Sequence, residues 1–252
     1  MKQVLKKIFR RLGLEVHRYR DKEFPPASPK RSIGNLESSL QDLRARGFVP
    51  QSILDVGANH AHWSRIAKSV FPKANCFLIE PLVEMKPYLE SFCNDFPGSR
   101  WFMVGVGAKP EELKINIWGD NLDISSFLSE ESENSGKQRS IKITTIDSLI
   151  EDGAIPIPQL VKLDIQGFEL EALSGGSQLF GQTEVFILEV SLFKFLKDMP
   201  IFHEVISFMA DKDYFVYDFP GFLRRSYDGA LGQVDICFVK EGGLLRNSNR
   251  WD

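Results

Sequence analysis

The sequence predicts an α/β fold: a mostly parallel sheet of seven strands, helices on both faces and an antiparallel C-terminal hairpin. Three observations predict it. Short apolar runs alternate with stretches of helical periodicity from residue 52 to residue 210, the pattern of repeated strand–helix units. The first run, Ser52-Ile-Leu-Asp55-Val-Gly57-Ala-Asn59, passes through an acid and a glycine turn into a helix-like stretch, as a buried parallel strand does. The last two runs, 214–219 and 233–239, have only a loop between them, and strands joined without a crossover helix pair antiparallel.

Each element follows in order. Residues 1–16 place Val4, Leu5, Ile8, Phe9 and Leu12 at helical spacing among Lys6, Lys7, Arg10 and Arg11. This is a basic amphipathic helix, suited to docking on a membrane surface or a partner, or to packing on its own domain. Pro25, Pro26 and Pro29 mark a linker. Residues 1–32 thus read as an N-terminal helical arm and linker, 33–245 as one domain and 246–252 as a tail. Leu36, Leu40 and Leu43 share a helix face that ends near Gly47, and this helix is expected to cover the ligand pocket. Strands are expected at 52–56, 75–80 and 100–106, the last ending at Gly107, with helices at 63–70 and 85–92. Residues 109–140 break the rhythm, with a short strand at 113–118 and a polar loop at 129–136. An irregular insertion of this length suits a substrate lid. A strand at 141–145, a short helix at 146–151, a buried strand at 160–164 and a helix at 168–174 come next. A strand at 184–189 and a helix at 203–209 precede the hairpin.

Composition sets limits. The chain has 252 residues, 43% hydrophobic and 12% aromatic, enough for a substantial core and unlike a disordered chain. Its net charge of -3 does not favour nucleic acid as a partner. Residues 1–20 nevertheless hold seven Lys or Arg against one Glu, so the rest is strongly acidic. Cys76, Cys93 and Cys237 lie far apart, with neither metal-ligand spacing nor a disulfide framework, and a reducing cytoplasm is expected. No apolar run reaches the roughly 18 residues of a membrane span, and the N-terminus lacks a signal-peptide core. A cytoplasmic location follows, with membrane association through the arm.

The motifs point to a ligand. Gly57 has no Cβ to keep a ligand from the backbone, and its turn lies at the carboxyl end of a strand, where open α/β sheets bind ligands. The second strand, Cys76-Phe-Leu-Ile-Glu80-Pro81, ends in an acid about 20 residues further on, a spacing that lets a carboxylate accept from ribose hydroxyls. A nucleoside-bearing cofactor is the expectation.

Asp55-Val-Gly-Ala-Asn59 resembles the cofactor motif of S-adenosylmethionine-dependent methyltransferases, and Ile79-Glu80-Pro81 resembles their ribose-binding acid. Thr144-Thr-Ile-Asp147-Ser-Leu149, then Val161-Lys-Leu-Asp164-Ile-Gln-Gly167-Phe-Glu169-Leu-Glu-Ala-Leu, resembles the signature of the FkbM family, and Gln233-Val-Asp-Ile-Cys-Phe-Val239 is similar to that family's last strand. The resemblance spans about residues 50–240. Relatives usually carry glycine in place of Ala61 and glutamate in place of Gln166. Ala61 is expected to add a methyl near the methionine end of the cofactor. At Gln166, an acceptor survives if the family's glutamate only hydrogen-bonds.

The resemblance implies a Rossmann-like class I methyltransferase fold and S-adenosylmethionine as cofactor. It implies methyl transfer to a hydroxyl of a small molecule or glycan, such as a sugar or a polyketide-like acceptor. Asp55 and Asn59 would orient the methionine portion, with Gly57 permitting contact. Glu80 and Pro81 would hold the ribose, and the end of the third strand, residues 105–108 with Gly107, would border the adenine. Asp164 and Glu189 are the catalytic candidates, Asp164 as a base or as a ligand of a divalent metal. The same residues have structural alternatives: Asp55 and Asp164 as helix caps, and Glu80 and Glu189 as strand-end acids. Lys162 is expected to point between strand and helix with no catalytic role. His60, His62 and His203 read as packing or incidental, and Trp63 and Trp101 as core. A nicotinamide-dependent oxidoreductase fits poorly, because the turn lacks the three-glycine fingerprint. A catalytically silent cofactor-binding or scaffold module stays open through Ala61 and Gln166.

Overall fold

A computed structural model describes residues 31–117, 125–128 and 137–250 of the chain. The expected N-terminal helix and the polar loop at 129–136 lie outside the described residues. Sixteen elements are used below: α1 (Leu36–Ala45), β1 (Ser52–Val56), α2 (His62–Val70), β2 (Asn75–Ile79), α3 (Lys86–Asp95), β3 (Arg100–Phe102), β4 (Gly105–Val106), β5 (Glu111–Ile117), β6 (Lys137–Thr144), α4 (Ile146–Glu151), β7 (Leu160–Leu163), α5 (Glu169–Ser174), β8 (Val185–Ser191), α6 (Phe202–Ala210), β9 (Tyr214–Arg224) and β10 (Leu231–Lys240).

The main sheet has seven strands in the order β3-β2-β1-β7-β8-β10-β9. β3, β2, β1, β7 and β8 run parallel, and β10 lies antiparallel between β8 and β9. This is the Rossmann-like arrangement with an antiparallel end that the sequence predicts. Every residue of β1 and β7 is buried, as expected where helices cover both faces of a parallel sheet.

Strand periodicity sorts the core into two layers. Ile53, Leu160, Ile187 and Cys237 pack with Leu40, Ala67 and Leu89 from α1, α2 and α3. Leu54, Val161, Leu188 and Ile236 pack with Ile146, Ala172 and Val205 from α4, α5 and α6. A fully buried side chain of this size contributes roughly 1.5–3 kcal/mol. The same alternation places four charged residues, Asp55, Lys162, Glu189 and Asp235, on the α1–α3 face. Two of them, Asp55 and Lys162, are direct cross-strand partners, and so are Glu189 and Asp235.

Several expectations need correction. The single strand at 100–106 is two. β3 stays in the main sheet, while β4 pairs in parallel with β6 in a separate three-stranded sheet of order β4-β6-β5. The switch brings the backbone of Gly105 against Ile143 and Phe127, a contact that a Cβ would obstruct. The small sheet contributes Gly105, Val106 and Ile115 to a cleft at the carboxyl ends of the main strands. β9 is longer than expected, so Phe222 and Leu223 belong to a strand rather than a loop. Helix α1, capped by Asn35, whose Oδ1 accepts from Ser38 N at 2.8 Å, does not cover that cleft. It packs on α2 and β9.

Candidate active site

The site starts at the turn after β1. The amides of Gly57 and Ala58 both donate to the Ile79 carbonyl, at 2.9 and 3.1 Å, which pins the turn to the end of β2. Gly57 adopts φ 76°, and a Cβ there would collide with the Asp164 carbonyl. Glycine is therefore required first by the neighbouring backbone, not only by a ligand's approach. Glu80 closes the turn: Oε2 accepts from Asn59 N and Oε1 from Leu82 N, both at 3.0 Å. Burial pushes the Glu80 carboxyl up, opposed by those two amides. A carboxylate oxygen can accept more than one hydrogen bond, so Glu80 keeps capacity toward the cleft that it lines. Pro81 lines the cleft beside it, and Asn59 faces it from the turn.

Two predicted cofactor residues lie elsewhere. Asp55 is completely buried and does not line the cleft. Its Oδ2 accepts from Ser64 Oγ of α2 at 2.6 Å, and its Oδ1 lies 3.4 Å from Lys162 Nζ. It anchors α2 and Lys162 to the first strand. Gly107 is also behind the wall. Its amide donates to Thr144 O and its Cα faces Ile143 and Phe168, leaving the lining to Gly105 and Val106. Ala61 likewise does not approach the cleft. It is fully buried at the start of α2 with φ 57° and ψ 23°, the left-handed region where glycine is preferred. Glycine would adopt that conformation without the strain an alanine carries.

The opposite rim is built from β7, β8 and β10. Lys162 is expected between strand and helix without a catalytic role. Instead its buried Nζ donates to Gly57 O at 3.1 Å and lies 3.3 Å from Asp164 Oδ2, besides pairing with Asp55. Burial alone would lower the ammonium, but Asp164 and Asp55 outweigh it and hold it raised. Asp164 follows β7, half-buried. Its Oδ1 accepts from Gln166 Nε2 at 3.1 Å, and the same nitrogen donates to Glu189 Oε2 at 2.8 Å. Gln166 thus uses its donor, not its acceptor, to join the two acids. It does so from a left-handed backbone, φ 54°. Glu189 Oε2 also accepts from Gln233 Nε2 at 2.8 Å. Burial first, then the neighbouring charge of Asp164, pushes the Glu189 carboxyl far above its ordinary range.

Asp164 is not a helix cap. The turn it belongs to is tied by Glu169, whose Oε1 accepts from Ile165 N at 2.9 Å and Gly167 N at 3.2 Å. Burial pushes the Glu169 carboxyl up to about 7. Asp147 of the family signature is structural as well: it accepts from Ser177 N and Gln178 N, both at 2.9 Å, while Thr145 caps α4 through Ser148 N. His60 packs edge-on against Tyr88, and none of His60, His62 or His203 lines the cleft. Trp63 and Trp101 pack on the core.

Sequence reasoning missed Lys162 as an ion-pair hub, Glu169 as the tie of the turn, and Asp235 and Gln233 beside Glu189. The signal was present for three of them: a charged side chain in an otherwise apolar buried strand, or at the first turn of a helix, must find a partner. The assembled cleft encloses about 360 Å³, at the lower end of the roughly 300–1,000 Å³ usual for small-molecule sites. Ile79, Val106, Ile115 and Phe127 form apolar walls, with Glu80 at one rim and Asp164, Gln166 and Glu189 at the other. Among the described residues no group of three or more His, Cys, Asp or Glu is arranged to hold a metal ion, and no helix is long and apolar enough to cross a membrane. The arrangement can hold hydroxyl donors at Glu80 and accept a proton at Asp164.

Several known proteins are similar to this chain. The hexuronic acid methyltransferase AglP of Haloferax volcanii is 26% identical over 200 residues, covering 70% of this chain and 78% of that protein. Among solved structures, the precorrin-6y C5,15-methyltransferase of Geobacter metallireducens GS-15 aligns over 88% of this chain and 96% of its own, with TM-score 0.49 and 13% identity. The 1,6-didemethyltoxoflavin-N1-methyltransferase of Burkholderia thailandensis aligns over 95% and 88%, with TM-score 0.45 and 10% identity. The methyltransferase FkbM domain matches residues 55–216, from the first strand of the cleft to the last acid-bearing segment but one, and the chain therefore belongs to the FkbM methyltransferase family.

Proposed function

We propose that this chain transfers the methyl group of S-adenosylmethionine to a hydroxyl of a sugar-type acceptor. The observation that carries the reading is one cleft with two differently equipped rims: Glu80, held by backbone amides and open to further hydroxyl donors, faces Asp164, held by Lys162 and Gln166. The residues present fit the methyl donor. Glu80 suits the ribose hydroxyls, and the apolar walls suit a nucleobase. Ser125 Oγ lines the cleft, buried and without a hydrogen-bond partner among the described residues, a group that a polar ligand atom would satisfy.

The bound donor supplies a methyl group already attached to a good leaving group, so the protein must align the acceptor and remove its proton. In this reading Asp164 takes that proton. Lys162 and Gln166 fix its two oxygens, so that the carboxylate keeps one orientation. Glu189 retains its own proton at neutral pH, consistent with its raised carboxyl, and cannot be the first acceptor. Gln166 favours a base over a metal ligand at Asp164: its Nε2 hydrogens occupy the space between the two acids, where a cation would meet like polarity. The sugar-type acceptor is supported by the relative named for hexuronic acid methylation. Converting Asp164 to Asn is expected to cut methyl transfer by on the order of 10²–10⁴, with affinity for S-adenosylhomocysteine preserved. Full turnover in that variant would remove the proposed role.

A further inference from the structure

We infer that a second cavity beside the cleft is the acceptor subsite, and that it takes a sugar unit free of carboxylate groups. The inference rests on the methyltransferase reading above and specifies its substrate. The cavity encloses about 310 Å³ and shares Glu189, Leu223 and Gln233 with the cofactor cleft. An acceptor seated there would lie against Glu189, which the donor's cleft shares and to which Gln166 ties Asp164.

Its walls are of two kinds. Phe222 and Leu223, on the end of β9, present 49% and 57% of their surface. The Phe222 ring is backed by Gly34 and stacked on Phe219 with centroids 6.0 Å apart. A braced ring with a free surface offers its negative face, which the C–H bonds of a pyranose complement. The floor is Asp235, half-buried, with no side-chain hydrogen bond among the described residues. It stands directly across the strand pair from Glu189. Glu189, which keeps its proton in the reading above, is hydrogen-bonded by Gln233 and Gln166, so Asp235 is the charged member of the pair, with Lys162 the cation that acts on it. Gly221, opposite Asp235 on β9, lets that carboxylate lie against its backbone, where a Cβ would collide with Oδ2. A half-buried acid that lines the cavity and makes no side-chain hydrogen bond among the described residues suits hydroxyl donors from a ligand.

No lysine or arginine lines either cavity among the described residues. Lys162 is spent on Asp55, Asp164 and Gly57 O. Arg224 donates to Gly229 O, and Arg225 to Asp228. A uronate placed here would meet the Asp235 carboxylate, with no lysine or arginine among the lining residues. Asp235 is pushed up only to about 6, by burial and then by Asp164, so it stays mainly ionised at pH 7.5.

The test uses the full chain saturated with S-adenosylhomocysteine and three pairs of 4-nitrophenyl glycosides. The pairs are gluco, galacto and manno, each compared with its uronic acid, and are read by ligand-observed NMR at pH 7.5. The expected result is at least tenfold tighter binding of the neutral member in at least one pair, and no pair that favours the uronate. Phe222→Ala should weaken that neutral glycoside at least fivefold, and Asp235→Asn should narrow the discrimination, both with unchanged S-adenosylhomocysteine affinity. Equal or tighter binding of uronates overturns the inference. So does binding of none of the six, or indifference to both substitutions. Absence of S-adenosylhomocysteine binding by the unsubstituted chain would instead strike the underlying methyltransferase reading.

Discussion

The two rims of the cleft are built by opposite means. On the Glu80 side every contact is short-range along the chain or made by backbone: Gly57 and Ala58 to Ile79, Asn59 and Leu82 to Glu80. On the Asp164 side the contacts are between side chains brought together by register: Lys162 beneath, Gln166 between, Glu189 and Asp235 across. Backbone amides cannot titrate or be substituted, so the first rim is a rigid seat. Side-chain acids crowded in low dielectric shift one another's protonation, so the second rim is where proton transfer belongs. Burial raises carboxyls on both sides, Glu80 on the first and Glu189, Glu169 (to about 7) and Asp235 (to about 6) on the second, where the charge of Asp164 adds to the shift.

The comparison can be broken most forcefully at Lys162, whose side chain reaches both rims. Lys162→Met would leave Asp55, completely buried, beside only Ser64. Stranding one buried charge typically costs about 3–5 kcal/mol. Urea unfolding should show a loss of that order, largely restored when Asp55→Asn is added. An unchanged midpoint would mean that the ion pair does not hold the rims together.

A pH titration sharpens the contrast next. The folded-state carboxyls of Glu169 and Asp235 are raised above their unfolded values. The native chain then binds more protons than the unfolded one between about pH 4.5 and 7, so stability falls as pH rises through that window. Glu169→Gln keeps the acceptor for Ile165 N and Gly167 N but cannot ionise. It should flatten the decline, by on the order of 2–3 kcal/mol across the window. Chemical denaturation at several pH values reads this directly, and a slope identical to that of the unsubstituted protein would count against the proposed burial of a titrating Glu169.

The smallest effect belongs to the rigid seat. Ala61→Gly relieves a left-handed alanine, a gain of roughly 1–2 kcal/mol. It forfeits a buried methyl worth about 0.8 kcal/mol and adds glycine's unfolded-state entropy, about 0.5–1 kcal/mol. The net change should stay within about 1 kcal/mol, with unaltered S-adenosylhomocysteine affinity, because the methyl faces the core. A large change in affinity would place Ala61 at the ligand after all.

The same division decides what could be read in advance. Gly57, Asn59, Glu80 and Pro81 were legible because a strand, a glycine turn and a second strand-end acid are local patterns with fixed geometry. Asp55 belongs to that motif, but its strand phase turns it inward, toward Ser64, and this was there to be counted from Ile53. Asp164 and Glu189 were legible as strand-end acids. Their joining by Gln166 was not, because it depends on a left-handed residue and an amide orientation that no periodicity encodes. Asp235 was missed because a lone acid in Val234-Asp-Ile-Cys-Phe-Val239 becomes informative only when the pairing register sets it opposite Glu189. The split at residues 103–104 escaped for a related reason: Arg100 to Val106 is one extended run locally, and its division reflects which sheet each half can join.

The central claim, a donor seat at Glu80 and a proton acceptor at Asp164 in one cleft, is tested most directly by calorimetry with S-adenosylhomocysteine on Glu80→Gln and Asp164→Asn, alongside their methyl-transfer rates. Loss of a charge-assisted hydrogen bond costs about 1.5–3 kcal/mol, so Glu80→Gln should bind roughly 10–100-fold more weakly, while Asp164→Asn binds as the parent does and turns over far more slowly. Weakened binding in Asp164→Asn together with undiminished binding in Glu80→Gln would contradict the account.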